Sequence, residues 1–391
     1  MLLSEVISHL YDNSPAFRAR LGAADLTPAD LQTEDDLASL PILRKDDLIE
    51  LQRQNPPFGG LLAVPLSELR AVYQSPGPIN EPSPKRPDAG GWAVALQAAG
   101  FAAGEVVLNA LGYHMTPAGA SLEDSLTHIG CVVIPGGIGQ FEQQIGAMAM
   151  FGATGFVGLP SYLKALLDKA AEMGQPLQLD KALVLAEPLP PSLRHELHER
   201  GVRVFQAYGT AECGNLGYEC ETLQGWHIPD GRIVQVCDIN TGEPLPAGEM
   251  GEVVATLLNH AYAATVRFGV GDLSTLIDEP CGCGRSGPRL AGWQGRVGAA
   301  TKVRGMFLHP SQLAGLMARF PEVASYQAVI TRTDHKDELA LEVVVAEGHT
   351  ADGLVERLES AARQAIKFRL EARLVASLPP GSPIRDERQW E

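Results

Sequence analysis

From Trp92 to about Lys181 the sequence alternates apolar runs of strand length with amphipathic helical stretches, and no other feature restricts the fold as much. The runs "EVVLNAL" and "CVVIPGG" read as buried strands, each followed by loop and helix. "ATGFVGLPSYLKALLDKAAEMG" gives a strand, a Pro-marked turn and an amphipathic helix, and "KALVLAEPLPPSLRHELHERGVRVFQAYGT" repeats strand, turn, helix, strand. Strands that alternate with helices predict an α/β fold with substantial parallel pairing. Residues 1 to about 70 read as helices and loops, with helix starts at Thr27 and Thr33. From Gly231 the rhythm changes to short strands with Thr-Gly and Ala-Gly turns, which predicts an antiparallel meander or a small β-barrel-like part. Beyond "GRVGAATKVRGMFLHPSQ" the order helix, strand, strand, helix, strand predicts a separate α+β domain. The expected division is a large domain of residues 1–300 and a small one of residues 301–391.

A chain of 391 residues exceeds one ordinary core, in keeping with two domains. The net charge of −16 argues against a general nucleic-acid binder, which needs a basic stripe. The start "MLLSEVISHLYDNSPAF" has no basic segment or long apolar run, and no stretch approaches the roughly 20 apolar residues of a membrane span. The expectation is a cytoplasmic protein with neither nucleic acid nor membrane as partner. Six cysteines do not make a disulfide scaffold in a chain of this size, and the close pair Cys281 and Cys283 points to a metal.

One stretch conflicts with its own position. "YQSPGPINEPSP", Tyr73 to Pro84, is punctuated like a phosphate-binding loop, but such a loop needs free backbone N–H groups. Pro76, Pro78, Pro82 and Pro84 have none.

Five strings give that position a meaning. "AEP" (Ala186–Pro188), "YGTAECGNLGYEC" (Tyr208–Cys220), "RFGVGDLS" (Arg267–Ser274), "PCGCGRSGPRL" (Pro280–Leu290) and "GRVGAATKVRGMFLHPSQ" (Gly295–Gln312) occur in this order. Upstream stand "LPILRKDDL", "FGGLLAVPLSEL" and "PSYLKALLDKA". Together they resemble the phenylacetate–CoA ligase branch of the adenylate-forming enzymes over nearly the whole chain. The resemblance implies a large N-terminal α/β domain, a small mobile C-terminal domain, and activation of a carboxylic acid with ATP before transfer to coenzyme A. It implies that Glu187 and Pro188 form the turn beside adenine, and that Tyr208 and Gly209 carry the aromatic that stacks on it. Thr210 would contact the α-phosphate, and Glu212 would hold magnesium when ATP is used. Asp272 would accept the ribose hydroxyls, and Arg296 would lie near ribose and phosphate. Tyr113, His114 and Met115 would line the acyl pocket of a small, aromatic or arylacetic acid. Cys220, His227, Cys281 and Cys283 would hold a structural zinc, since three sulfurs and one nitrogen suit a closed tetrahedral site. A homodimer is the default assembly.

The chain also departs from that pattern. "SPGPINEP" (Ser75–Pro82) replaces a Ser/Thr/Gly-rich phosphate loop and puts Glu81 where a lysine would help. The tail "SLPPGSPIRDERQWE" lacks the family's lysine; Lys367 lies in the preceding helix and Arg385 is the nearest tail cation. Gly298 and Ala299 stand where the acidic hinge pair would follow the Gly-Arg motif. The adenosine elements are kept and the elements that manage pyrophosphate departure are not. Two alternatives to a ligase with impaired activation stay open. One is an acyl transferase acting on a preformed acyl-adenylate or acyl-CoA, and the other is an inactive regulatory protein that binds AMP, CoA or an acid.

Overall fold

A computed structural model describes residues 1–74, 79–239, 241–259, 261–297, 301–304, 306–308, 310–366 and 368–389. The first half of the Pro-rich loop (Ser75–Pro78), Gly298, Ala299 and Lys367 lie outside the described residues. The chain forms two compact units, Met1–Val297 and Gly298–Glu391.

The first strands of the larger unit form a hairpin of β1 (Leu69–Gln74) and β2 (Asn80–Pro84). The central block follows as β3 (Val106–Asn109), β4 (Val132–Ile134), β5 (Gly155–Gly158), β6 (Lys181–Val184) and β7 (Arg203–Thr210). These strands pair in parallel in the order β4, β3, β5, β6, β7. Every residue of β5 and β6 is buried, so these strands read as unbroken apolar runs. Neighbouring residues on a strand feed opposite faces. Leu108, Phe156, Ala182 and Val184 join Ile145, Leu163, Leu166 and Leu193 on one side. Val107, Val157 and Leu183 join Trp92, Leu96, Leu122 and Leu126 on the other.

The remaining strands of this unit are β8 (Gly214–Tyr218), β9 (Trp226–His227), β10 (Arg232–Cys237), β11 (Met250–Leu257), β12 (Phe268–Ile277), β13 (Arg289–Leu290) and β14 (Gly295–Arg296). The expected meander is present as antiparallel β10–β11–β12. It runs on into the parallel block through β13, β9 and β8, giving one open 12-stranded sheet rather than a separate barrel. The linking strands β9 and β13 are two residues long, too short to leave a periodic signal. The helices Leu3–Asn13 and Pro15–Ala23 cover the antiparallel part, packing Ile7, Leu10, Phe17 and Leu21 with Val234, Val253 and Phe268. Thr27 and Thr33 precede only short 3₁₀ turns, Pro28–Asp30 and Asp35–Ser39. Asp30 and Asp36 turn back to accept the backbone N–H groups of Thr27 and Thr33, closing each turn on itself.

The smaller unit has a hairpin of β15 (Thr301–Val303) and β16 (Met306–Leu308), then β17 (Val323–Thr333), β18 (Lys336–Val345), β19 (Glu371–Leu374) and β20 (Ile384–Asp386). The last four form a sheet in the order β19, β18, β17, β20, with the helices Pro310–Met317 and Leu354–Ala365 packed on it. The C-terminal tail is part of this sheet. β20 pairs in parallel with β17, and the buried Arg388 reaches Asp337 at 3.0 Å. Arg385 donates to Gln327 at 2.5 Å and to Glu342 at 3.3 Å, so the tail cation is engaged within its own unit. Among the described residues no helix is long and apolar enough to cross a membrane.

Candidate active site and metal centre

The carboxyl ends of β6 and β7 carry the first group of candidates, as expected of ligand sites on parallel sheets. The turn after β6 places Ala186 at φ 71°, and Glu187 follows, accepting from Ser161 Oγ at 2.6 Å. Gln206 donates to the Glu187 carbonyl at 3.0 Å, which ties this turn to β7. Pro188 continues it, half-buried.

Tyr208 is held on two sides. Its ring stacks on Trp226 with centroids 5.1 Å apart, and its hydroxyl donates to Asp272 Oδ2 at 2.9 Å. The pairing of β12 with β14 sets Asp272 opposite Arg296, whose Nε lies 2.9 Å from Oδ1. Trp293 Nε1 also donates to Oδ1, at 3.2 Å. Burial first, and the Asp272 carboxylate second, push the Tyr208 hydroxyl well above its ordinary pKa, so it stays a donor. Tyr208, Asp272 and Arg296 therefore form one network. Trp226 and Trp293 complete it; reading the sequence missed both, and the only signal was their adjacency to His227 and to the Gly-Arg motif.

Gly209 follows at the irregularity between β7 and β8. A Cβ there would stand 2.0 Å from the Gly214 carbonyl oxygen and 2.7 Å from Trp92. Gly209→Ala is therefore expected to destabilise the protein by about 2 kcal/mol or more, read as a lower melting temperature. A variant that melts with the parent would show that the strand end tolerates a side chain.

A second group lies beside the first. Thr210 Oγ1 accepts from the Cys213 amide at 3.2 Å. Glu212 pairs with Lys45 at 2.8 Å, its side chain only 7% exposed. Burial, the largest influence, would raise the Glu212 carboxyl, but the Lys45 ammonium together with hydrogen bonds from Lys45, Thr210 and the backbone leaves the pKa lowered. Lys45 comes from the helix Lys45–Gln54 and was legible only as part of the string "LPILRKDDL". Glu81, on β2, is buried against this pair. Desolvation, with the Glu212 charge adding to it, pushes its carboxyl well above the usual range. Burial also drives the Cys213 thiol up to about 12, so it is an unreactive neighbour.

The acyl-pocket candidates lie in the loop after β3. Tyr113 turns inward to accept from Asn109 Nδ2 at 2.9 Å, whereas His114 and Met115 are exposed.

The metal candidates do converge. Cys220 follows β8, His227 lies on β9, and Cys281 and Cys283 lie in the loop after β12. Their ligand atoms all fall within 4.8 Å of one another. Cys220 and Cys281 sulfurs are 3.7 Å apart, and Cys283 Sγ is 3.4 Å from His227 Nε2. Tetrahedral zinc with ordinary bond lengths requires edges of roughly 3.8 Å for S···S and 3.6 Å for S···N. A disulfide would need about 2.05 Å, and all the cysteines are free. The donor set and its spacing fit zinc. Hydrogen bonds from Thr222, the Cys283 backbone and neighbouring side chains lower the Cys281 thiol to about 6, towards the thiolate a metal requires. Arg289, buried and unremarked in the sequence, donates to the carbonyls of Gln224 and Glu279 and so pins together the two loops that carry the ligands.

Comparison with known proteins settles the family. The chain is 30% identical to the phenylacetate-coenzyme A ligase of Thermus thermophilus over 98% of its own length and 92% of that enzyme's. It belongs to the phenylacetate–CoA ligase family. The Escherichia coli phenylacetate-coenzyme A ligase is 27% identical over 88% of this chain and 81% of its own. Residues 92–256 match the family described as AMP-binding enzyme. A 2-hydroxyisobutyryl-CoA ligase solved with 2-HIB-AMP and CoA shares the fold, with a TM-score of 0.91 at 23% identity over 99% of this chain and 88% of that one. The reaction class of this phenylacetate–CoA ligase homologue is that of an AMP-forming acid–thiol ligase.

Proposed function

We propose that this protein handles a small carboxylic acid as its acyl-adenylate and passes the acyl group to coenzyme A, with loading of the site from ATP impaired. The observation that carries the reading is the Tyr208–Asp272–Arg296 network at the ends of the parallel strands. Trp226 covers one face of Tyr208, and adenine would stack on the other. A carboxylate offers about four lone-pair positions. Three on Asp272 are taken by Tyr208, Trp293 and Arg296, so one position on Oδ2 remains for a ribose hydroxyl. Thr210 would meet the α-phosphate, and Glu212 would hold magnesium where ATP is used, after release from Lys45. In the thioester step the CoA sulfur bonds to the acyl carbonyl carbon, the acyl–phosphate C–O bond breaks, and AMP leaves with that oxygen.

Three features support weak adenylation. The segment Ser75–Pro82 is short of backbone donors, Glu81 stands where a cation would serve, and Arg385 is engaged in its own sheet. Kinship with phenylacetate-coenzyme A ligases favours an aromatic or arylacetic acid. Titration with AMP tests the reading. Because Trp226 and Trp293 sit beside Tyr208 and Asp272, saturable quenching of tryptophan fluorescence is expected. An unchanged emission together with no calorimetric heat would remove it.

Zinc belongs to the same proposal as a structural ion held by Cys220, His227, Cys281 and Cys283. It would lock the loops that carry β9 and β13, and with them Trp226. Protein purified without added metal is expected to contain about one zinc per chain, and Cys281→Ser to lose it and melt several degrees lower. Under about 0.2 zinc per chain would contradict this.

A further inference from the structure

We propose that Glu81 confines the site to nucleoside monophosphates and their acyl esters, by filling the space into which the β- and γ-phosphates of a triphosphate would run. This rests on the placement of adenosine at Tyr208 and Asp272 proposed above. With ribose at Asp272 and the α-phosphate at Thr210, further phosphates leave on the side away from the ribose, past Glu212. Beyond Glu212 lies a cavity of about 60 Å³ lined by Glu81, Gln52, Asn80, Pro82 and Tyr262. Glu81 and Pro82 close it on the side of the β1–β2 hairpin.

The wall formed by Glu81 is fixed. Gln52 grips the strand from both sides, accepting from the Asn80 amide at 2.7 Å and donating to the Asn80 carbonyl at 3.0 Å. Asn80 in turn donates to the Pro57 carbonyl at 2.8 Å. Glu81 is paired in register with Tyr73 across the β1–β2 hairpin. Pro82 and Pro84 beside it have no amide to offer an anion. Glu81 is 6% exposed, and its Oε1 is buried without a hydrogen-bond partner among the described residues. Where a polyphosphate needs cations and several donors, this wall presents a single carboxyl group, and the nearby Lys45 ammonium is committed to Glu212. Desolvation, and the Glu212 charge after it, push the Glu81 carboxyl well above the usual range and so favour the neutral form, which a dry wall tolerates better than a charge.

The test measures affinity for AMP and for MgATP by calorimetry in the full chain and in two variants. The parent is expected to bind AMP about 100-fold more tightly than ATP. Glu81→Ser opens the cavity and is expected to reduce that ratio at least about tenfold, with AMP affinity held within about twofold. Glu81→Gln keeps the packing, cannot ionise and offers two amide N–H donors in place of at most one O–H, and is expected to reduce the ratio at least about threefold; it decides the matter if the serine variant does not fold. A parent that binds both nucleotides equally, or variants that bind AMP with an unchanged ratio, would overturn the role of Glu81 while leaving the adenosine site intact. A parent that binds neither nucleotide would overturn the adenosine site and the proposal with it.

Discussion

Asp272→Ala is expected to weaken AMP binding by about 100-fold and to lower the melting temperature by several degrees. The carboxylate joins β7, β12 and β14, and removing it takes an acceptor from three donors at once: the Tyr208 hydroxyl, the Trp293 indole and the Arg296 guanidinium. Arg296 is the costly one. Its side chain is 14% exposed, and an ion pair broken by loss of one buried partner costs up to about 3–5 kcal/mol, because the remaining charge loses that partner's compensation. Asp272→Asn separates the two effects. It keeps the shape and one acceptor but removes the charge, so it should recover part of the stability and little of the affinity. Titration and calorimetry of both variants decide this. If Asp272→Ala binds AMP as tightly as the parent, adenosine does not sit where Tyr208 and Asp272 would place it.

The second large effect concerns ATP. With magnesium, ATP and a panel of aromatic and aliphatic acids, exchange of pyrophosphate into ATP is expected to be roughly 10⁴-fold slower than thioester formation from a preformed adenylate. Phosphoryl chemistry of this kind depends on positioning and charge neutralisation, and each lost stabilising contact costs about 10²–10³ in rate. Two such contributions are missing. The Pro-rich loop is short of backbone donors, and the tail has no lysine. Neither candidate cation is free to replace them: Lys45 is paired with Glu212, and Arg385 with Gln327 and Glu342 in its own unit. Exchange at a rate comparable to thioester formation for any acid in the panel would show that other residues manage the pyrophosphate.

The parallel block was legible because β5 and β6 are buried along their whole length and leave apolar runs bounded by turns. The continuity of the sheet was not legible. β9 and β13 are too short to show alternation, and their pairing is set by contacts between residues distant in the chain. Thr27 and Thr33 misled for a local reason, since the carboxylates that follow them close 3₁₀ turns before an α-helix can propagate. The four metal candidates stood out by residue type, and the geometry brings their ligand atoms together. Trp226, Trp293 and Lys45 carry no motif of their own, and each matters through a partner far away in sequence. Glu81 was visible as a wrong charge in the Pro-rich stretch; its burial and the Gln52 grip on its strand needed the fold.

The most direct measurement supplies the adenylate that ATP is not expected to provide. Phenylacetyl-adenylate and coenzyme A are mixed with a stoichiometric amount of protein, and thioester and AMP are followed by mass spectrometry. A burst of thioester matched by AMP, lost in Asp272→Ala, is the expected result. Thioester no faster than in buffer alone, with the adenylate simply hydrolysing, would contradict a site kept for the second half of the ligase reaction.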